Sequence, residues 1–485
     1  MEAAQEMVEP KLQDLIALYP RNKRGRCRLD GNTIVREVLR NPHAANKKYD
    51  FGNIATSCYP LHMAIALGAP LQIISILLEA SPNVVNEKCK FVMTESTSFF
   101  LNGMYTALHI ACCFGASPKV VSMILETYPE AVKMKDDFQK TPLHLACTSN
   151  ATTDIVSILI EKWPEALNEK DNDDRTPLHH ACEWKAPIEV ISLLLTKCAS
   201  AVREKDEHEQ VPLHLACAKK ASVEVVSLLL ETWPAAARDR DRYGVKPLHL
   251  ACERKASLEV VSLLLEMWPA AAKTKICNGR TPLHLACMYK ASPEVASLLI
   301  ESCPAAAMER DYEGRTPLHV ACAKGAPVEV ISLILDKCPG VVMEQDNYRQ
   351  TPLHTACCYR ASKEVIQRLL ERYTGAIFER DFRGCTPLSI ACKEHFEIVP
   401  LLTTIGRLHN GAIEKAFANE VISDFFHCKW WGGAAIVVDV CPSVIPDFCF
   451  SDEAIPQMLS LVGRRCRLLT MMEVISDKQD LFSVL

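Results

Sequence analysis

Residues 241–275 read DRYGVKPLHLACERKASLEVVSLLLEMWPAAAKTK. Asp241-Arg242-Tyr243-Gly244 is turn chemistry, with a glycine free to take a positive φ. Pro247 suits the first turn of a helix, where its missing N–H is not needed. Leu248, Leu250, Ala251 and Cys252 predict a short helix with small residues on its packing face. Ala256-Ser257 breaks that helix. Ser257 is placed to cap a second one, and Glu259 lies in its first turn, where the helix dipole favours an acid. Val260, Val261, Leu263, Leu264 and Leu265 form its apolar stripe. Pro269, after Trp268, stops it, and residues 270–273 read as a loop to the next turn. One such module cannot bury its own stripe, so it needs copies of itself on either side.

The copies are present. Thr-Pro-Leu-His begins at residues 141, 176, 281, 316 and 351, and close variants begin at 106, 211, 246 and 386, so nine starts fall 35 residues apart without insertion or deletion. A tenth start, Tyr59-Pro60-Leu61-His62, lies 47 residues before Thr106, with the extra residues around 91–104. The unusual composition follows from this motif. Nine of the 23 cysteines fall in one column (112, 147, 182 and so on to 392), and nine of the 15 histidines belong to the tetrapeptide. The 485 residues carry 54 basic and 59 acidic side chains, a net charge of -5, which argues against a dedicated nucleic-acid binder. A hydrophobic share of 49% excludes a mostly disordered chain. The acidic start, Met1 to Glu6, lacks the features of a secretory signal, and no run of 18 apolar residues occurs. Free thiols in a reducing compartment, cytoplasmic with the nucleus as the alternative, are therefore expected, without membrane insertion.

The pattern resembles the ankyrin repeat, whose consensus contains T-P-L-H-x-A. The resemblance covers about residues 55–400. It implies a mainly α solenoid of helix-turn-helix units with hairpin loops, bounded by helical capping regions. The N-terminal one, 1–54, holds a degenerate half-repeat at 15–20; the C-terminal one, 401–485, holds degenerate repeats and helices at 412–426 and 454–485. Ten repeats at roughly 9–10 Å each predict a curved rod about 90–100 Å long. The resemblance also implies that partners are held by hairpin tips and first-helix ends on a concave face. The tetrapeptide histidine then makes hydrogen bonds at its turn, and the cysteine column stands where the family has alanine. Several positions depart from the family. The repeat is longer than the family's roughly 33 residues. The family's glycine between helices is replaced by Ala221-Ser222 or Ala326-Pro327, and the one after the second helix by Trp233-Pro234 or Cys303-Pro304. The hairpin glycine remains at 244, 279, 314 and 384, but Gln139, Asp174, Glu209 and Arg349 replace it elsewhere, where looser or differently turned hairpins are expected.

Histidine and cysteine three residues apart could ligate zinc or form a nucleophile pair. Zinc needs about four ligands near 2 Å, whereas stacked helices lie roughly 8–10 Å apart, so a pair in one repeat is not completed by the next. No pair differs from the others, as a catalytic site would require. No catalytic, metal or cofactor residue is assigned, and the chain is read as a non-enzymatic scaffold or adaptor, expected to be a monomer. The tryptophan column (Trp163, Trp233, Trp268) reads as packing between second helices. The candidate partner-binding residues are Trp184, Lys219, Lys220, Tyr243, Arg254, Lys255, Tyr289, Lys290, Tyr359 and Arg360, a ridge of cations interleaved with aromatics. Phe138, His208, Tyr312, Tyr348 and Phe382 extend it at the hairpins. Its charge favours acidic or phosphorylated protein segments. The bland alternative is a solvated row that complements helix dipoles. Two other readings are nucleic-acid binding by the same ridge, opposed by Glu183 and Glu253 within it, and a small enzyme in 401–485. The basic run 21–28 reads as a solvated turn or an import patch.

Overall fold

The computed structural model describes residues 31–51, 55–92, 102–149, 151–409, 414–441 and 443–444. The segments 15–20, 21–28 and 454–485 lie outside the described residues. The repeats are built alike. In the one beginning at Thr281, the first helix is Pro282–Met288, the second is Pro293–Ser302, and a 3-10 helix follows at Pro304–Met308. Thr281 has extended backbone and Pro282 occupies the first helical turn, so the helix starts where no N–H is missed. Leu283, Leu285, Ala286 and Cys287 are buried on the first helix, and Val295, Ala296, Leu299 and Ile300 on the second. Cys303 ends the second helix, and Pro304 prevents its continuation. Ser257 caps as expected: its hydroxyl accepts from the Val260 N–H at 3.5 Å. The stretch 270–273, read as loop, belongs instead to the 3-10 helix Pro269–Lys273, because Ala271 and Ala272 are small enough to be buried beneath the next repeat.

The chain divides into two units, residues 1–250 and 251–485. In the first, the first helices Ala107–Cys113, Pro142–Thr148, Pro177–Glu183 and Pro212–Ala218 pack in succession, as do the second helices Pro118–Thr127, Thr153–Lys162, Ile188–Lys197 and Val223–Thr232. The same order holds in the second unit, with first helices from Pro282–Met288 to Pro387–Glu394 and second helices from Leu258–Met267 to Lys363–Arg372. Each fully buried leucine or isoleucine contributes about 1.5–3 kcal/mol, and that gain exists only where a neighbouring repeat covers the stripe. Ion pairs run between neighbours, such as Lys135–Glu169 (2.7 Å), Lys170–Glu204 (2.9 Å) and Lys275–Glu309 (2.7 Å). They are partly exposed and individually worth at most about 1 kcal/mol.

The hairpins correct one expectation. Gln139, Asp174, Glu209 and Arg349 adopt φ of 58 to 62°, the same left-handed corner that Gly244, Gly279, Gly314 and Gly384 take. An aspartate holds each of these turns except that of Gly279, where Ile276 stands in its place and the Asn278 side chain accepts from the Arg280 N–H (3.1 Å). Asp136 Oδ1 accepts from the N–H of Phe138 and of Lys140, both at 2.8 Å, and Asp206 does the same for His208 and Gln210. Successive tips are also joined through backbone, as in Asn172 N–H to the Phe138 carbonyl (3.0 Å) and Phe382 N–H to that of Tyr348 (3.0 Å).

The described residues at either end of the stretch 91–104 lie in strands. β1 (Ala55–Thr56), β2 (Cys89–Val92) and β3 (Asn102–Tyr105) make an antiparallel sheet in that order, with Phe91 opposite Gly103 and fully buried. After the last repeat come helices Val399–His409, Lys415–His427 and Trp431–Val440. The second of these matches the helix expected at 412–426. The third ends at Cys441 with the same backbone turn that ends the second helices, and it packs on Lys363–Arg372.

Candidate functional site

The histidine column is committed to structure. His284 Nε2 donates to the Arg315 carbonyl of the next repeat (2.9 Å), while Nδ1 accepts from the Thr281 N–H (3.2 Å) and hydroxyl (2.8 Å). His109, His144, His179, His319 and His354 repeat this arrangement. Burial holds the imidazoles neutral, at about 4 for His109, His179, His284 and His319. The cysteine column is buried as well from Cys112 to Cys357, with Cys392 exposed, and burial pushes the Cys217 and Cys287 thiols up to about 12. No group of three His, Cys, Asp or Glu side chains among the described residues is placed to hold a metal ion.

The ridge lies at the ends of the first helices, apart from Tyr243, which sits in the hairpin turn before Pro247–Arg254. In the first unit Trp184 and Lys219 occupy C-caps with ordinary right-handed φ near -97°, and Lys185 and Lys220 follow them at φ +57°. In the second unit Tyr289 and Tyr359 occupy the cap, followed by Lys290 at +56° and Arg360 at +55°; Lys255, after Arg254, lies at +55°. Gly115 and Gly325 take the same corner at +66° and +63°. This corrects the alignment above: the family's glycine corresponds to this lysine or arginine, not to Ala221-Ser222 or Ala326-Pro327. The left-handed region is unfavourable for a side chain by about 1–2 kcal/mol, and the chain accepts it at five corners.

All ten candidate residues are exposed. Trp184 (38%), Tyr243 (54%), Tyr289 (39%) and Tyr359 (51%) leave large ring surfaces to solvent. Two of the cations are neutralised locally: Lys219 pairs with Glu183 at 3.3 Å and Arg254 with Glu253 at 3.2 Å. Lys185, Lys220, Lys255, Lys290 and Arg360 have no ion pair among the described residues. Replacing Lys220 by glycine is expected to leave stability unchanged or raise it by up to about 1 kcal/mol, because relief of the left-handed strain exceeds the entropy of the added glycine. Urea midpoints check this; a clear loss would show that the corner is not strained. The tryptophan column is half-buried, with the Arg203 guanidinium 6.0 Å from the Trp233 ring centre.

Two features escaped sequence reasoning. His180 stands where other repeats carry Leu, Val, Ile, Met or Thr, and it is buried with Nε2 donating to Asp171 Oδ2 (2.7 Å) and Nδ1 3.2 Å from the Thr148 hydroxyl. Burial raises the Asp171 carboxyl, but the bond and charge of His180, the Arg175 N–H and the His144 ring together outweigh it and bring the group down to about 2. The Asp-His-Thr set resembles a catalytic triad in spacing; with all three buried and Thr148 Oγ1 donating to the His144 carbonyl at 2.7 Å, it braces two repeats. The second is a cavity of about 230 Å³ lined by Leu370, Glu371, Arg372, His409, Ile436 and Asp439. Glu371 there accepts from Trp430 Nε1 (2.8 Å) and pairs with Arg368 (3.2 Å), so its carboxylate is engaged in packing.

The family model for ankyrin repeats matches residues 108–206, 188–275, 269–344 and 328–410, more than half of the chain. Among solved structures, the ankyrin repeat domain of Bcl-3, described as a unique member of the IkappaB protein family, is similar at 27% identity and a TM-score of 0.39, covering 47% of this chain and 97% of that one. No curated protein matches the chain.

Proposed function

The chain belongs to the ankyrin-repeat family, and from that premise we propose that it is a non-enzymatic adaptor that holds protein partners on the face made by its first-helix ends and hairpin tips. Ankyrin repeats are interaction modules in general, and no helix of the described residues is long and apolar enough to cross a membrane. The observation that carries the reading is the pairing, repeat after repeat, of an exposed cap residue with a strained, unpaired cation: Trp184-Lys185 in the first unit, Tyr289-Lys290 and Tyr359-Arg360 in the second. Strain persists where the surroundings or a function require it, and Gly115 and Gly325 show that the fold does not. Aromatic rings beside cations are the side chains that most often anchor partners. A reducing compartment fits the many free thiols, with the cytoplasm preferred.

The test uses the full chain as bait for affinity capture, with Trp184→Ser, Tyr289→Ser and Tyr359→Ser combined in a second bait. The triple variant is expected to lose its specific partners by at least about tenfold while keeping its helical signal, since each anchor is worth on the order of 1–2 kcal/mol. Equal capture by both baits would move the working surface elsewhere.

A further inference from the structure

We infer that within each unit the left-handed corners form a comb for an extended acidic peptide, with one carboxylate seated on each cation; this rests on the scaffold reading and names the partner's chemistry. Three observations converge on it. At two of the five corners, those of Lys220 and Lys255, helix electrostatics do not require the cation. Lys219 and Arg254 already sit at the ends of their helices, and Lys219 does so in unstrained backbone, where a cation complements the dipole equally well. Lys185, Lys220, Lys255, Lys290 and Arg360 are nonetheless present, exposed and without an ion pair among the described residues.

The spacing is the second observation. Within either unit, equivalent corners of neighbouring repeats are separated by one helix-to-helix step, roughly 8–10 Å. An extended chain rises about 3.3 Å per residue, so side chains three apart recur at about 10 Å. Lys290 reaches along that direction: a Cβ added at Gly325, the next corner, would lie 3.7 Å from its ammonium nitrogen.

The third observation selects a spaced acid over a continuous polyanion. Four residues beyond each charged corner stands an exposed glutamate: Glu189 and Glu224 in the first unit, Glu259, Glu294 and Glu364 in the second. A strand with a phosphate at every residue would meet this second row as well as the first. A peptide with acids only at every third position, and neutral or basic side chains between them, meets cations with its acids. Its intervening side chains can then lie on Trp184, Tyr289 and Tyr359.

The experiment measures binding of the full chain to two labelled synthetic peptides of identical composition, one with glutamate at every third position and one with the glutamates clustered, with oligodeoxythymidylate as a third probe. The spaced peptide is expected to bind at least about fivefold more tightly than the clustered one. The combined variant Lys255→Gly, Lys290→Gly and Arg360→Gly is expected to weaken it about tenfold, and Lys185→Gly with Lys220→Gly by a smaller factor, with no fall in urea midpoint in either. Equal binding of the two peptides overturns the comb. So does unchanged affinity of the variants, or stronger binding of the oligonucleotide. If the spaced peptide fails while the Trp184, Tyr289 and Tyr359 variant still loses its captured partners, the comb falls and the scaffold reading stands.

Discussion

Acidification from pH 7 to pH 4.5 is expected to unfold most of the repeat stack without denaturant. In an unfolded chain a histidine titrates near 6.5. In the folded chain burial holds His109, His179, His284 and His319 at about 4 and His144 at about 3, and it lowers His214 and His354 as well. Hydrogen bonding reinforces this where Nδ1 accepts from a backbone N–H and cannot do so once protonated. Between the two values the unfolded state binds a proton that the folded state refuses. Stability therefore falls as pH falls through the window from about 6.5 to about 4, by up to about 3 kcal/mol per histidine at its acid end. Several such groups together exceed the whole stability of an ordinary domain, about 5–15 kcal/mol, so the transition comes before the window is crossed. Asp136 and Asp346, raised by burial, act with the opposite sign, but they are few. Urea midpoints measured from pH 7 to pH 5 should decline steeply. His284→Gln should lower the midpoint at pH 7 by about 1 kcal/mol, since one buried bond is impaired, yet make the decline shallower by one proton. A flat profile between pH 7 and pH 5 would contradict this account of the column.

The same histidines show what the sequence carries openly. A tetrapeptide recurring every 35 residues fixes the repeat, the two helices and the buried columns, because each depends on side-chain type at a fixed offset. The hairpin corners were harder. Gln139 or Arg349 in place of glycine suggests a different turn, but Asp136 and Asp346 bind two backbone N–H groups each and impose the left-handed residue whatever its side chain. The lysine corners were hidden for a related reason. Propensity assigns a left-handed residue to glycine, so Lys-Ala-Ser drew attention to Ala-Ser, although Gly325-Ala326-Pro327 in the same column carried the signal. The charged ridge was legible as a list of residues, and its strain was not, since strain is a backbone property. The strands β2 and β3 were invisible because each is only four residues long and β3 includes Gly103.

Gly432→Val is expected to release the helix Trp431–Val440 from the last repeat, with a local loss of about 2–5 kcal/mol from overpacking and a broken buried hydrogen bond. The position is buried, and a Cβ there would overlap the Glu371 carboxylate. Glu371 cannot simply step aside, because it accepts from Trp430 Nε1 and pairs with Arg368. Gly433 is similarly closed, by the ring of Trp430. Gly432 therefore permits the close approach at which this helix packs on the last second helix, while Gly433 makes room for the Trp430 ring that bonds to it. In repeat proteins coupling passes between neighbours, so the loss should stay at this end instead of spreading through the chain. Hydrogen exchange of the amides in 431–440 should accelerate by at least about thirtyfold, while those of Pro142–Thr148 remain unchanged. An uncovered terminal repeat should also increase aggregation. A double-mutant cycle isolates the cause: with Glu371→Ala in place, Gly432→Ala should destabilise far less than it does alone, because the obstructing carboxylate is gone. Equal losses in the two backgrounds would mean that glycine is needed here for its backbone freedom and that the cap is not seated by this contact.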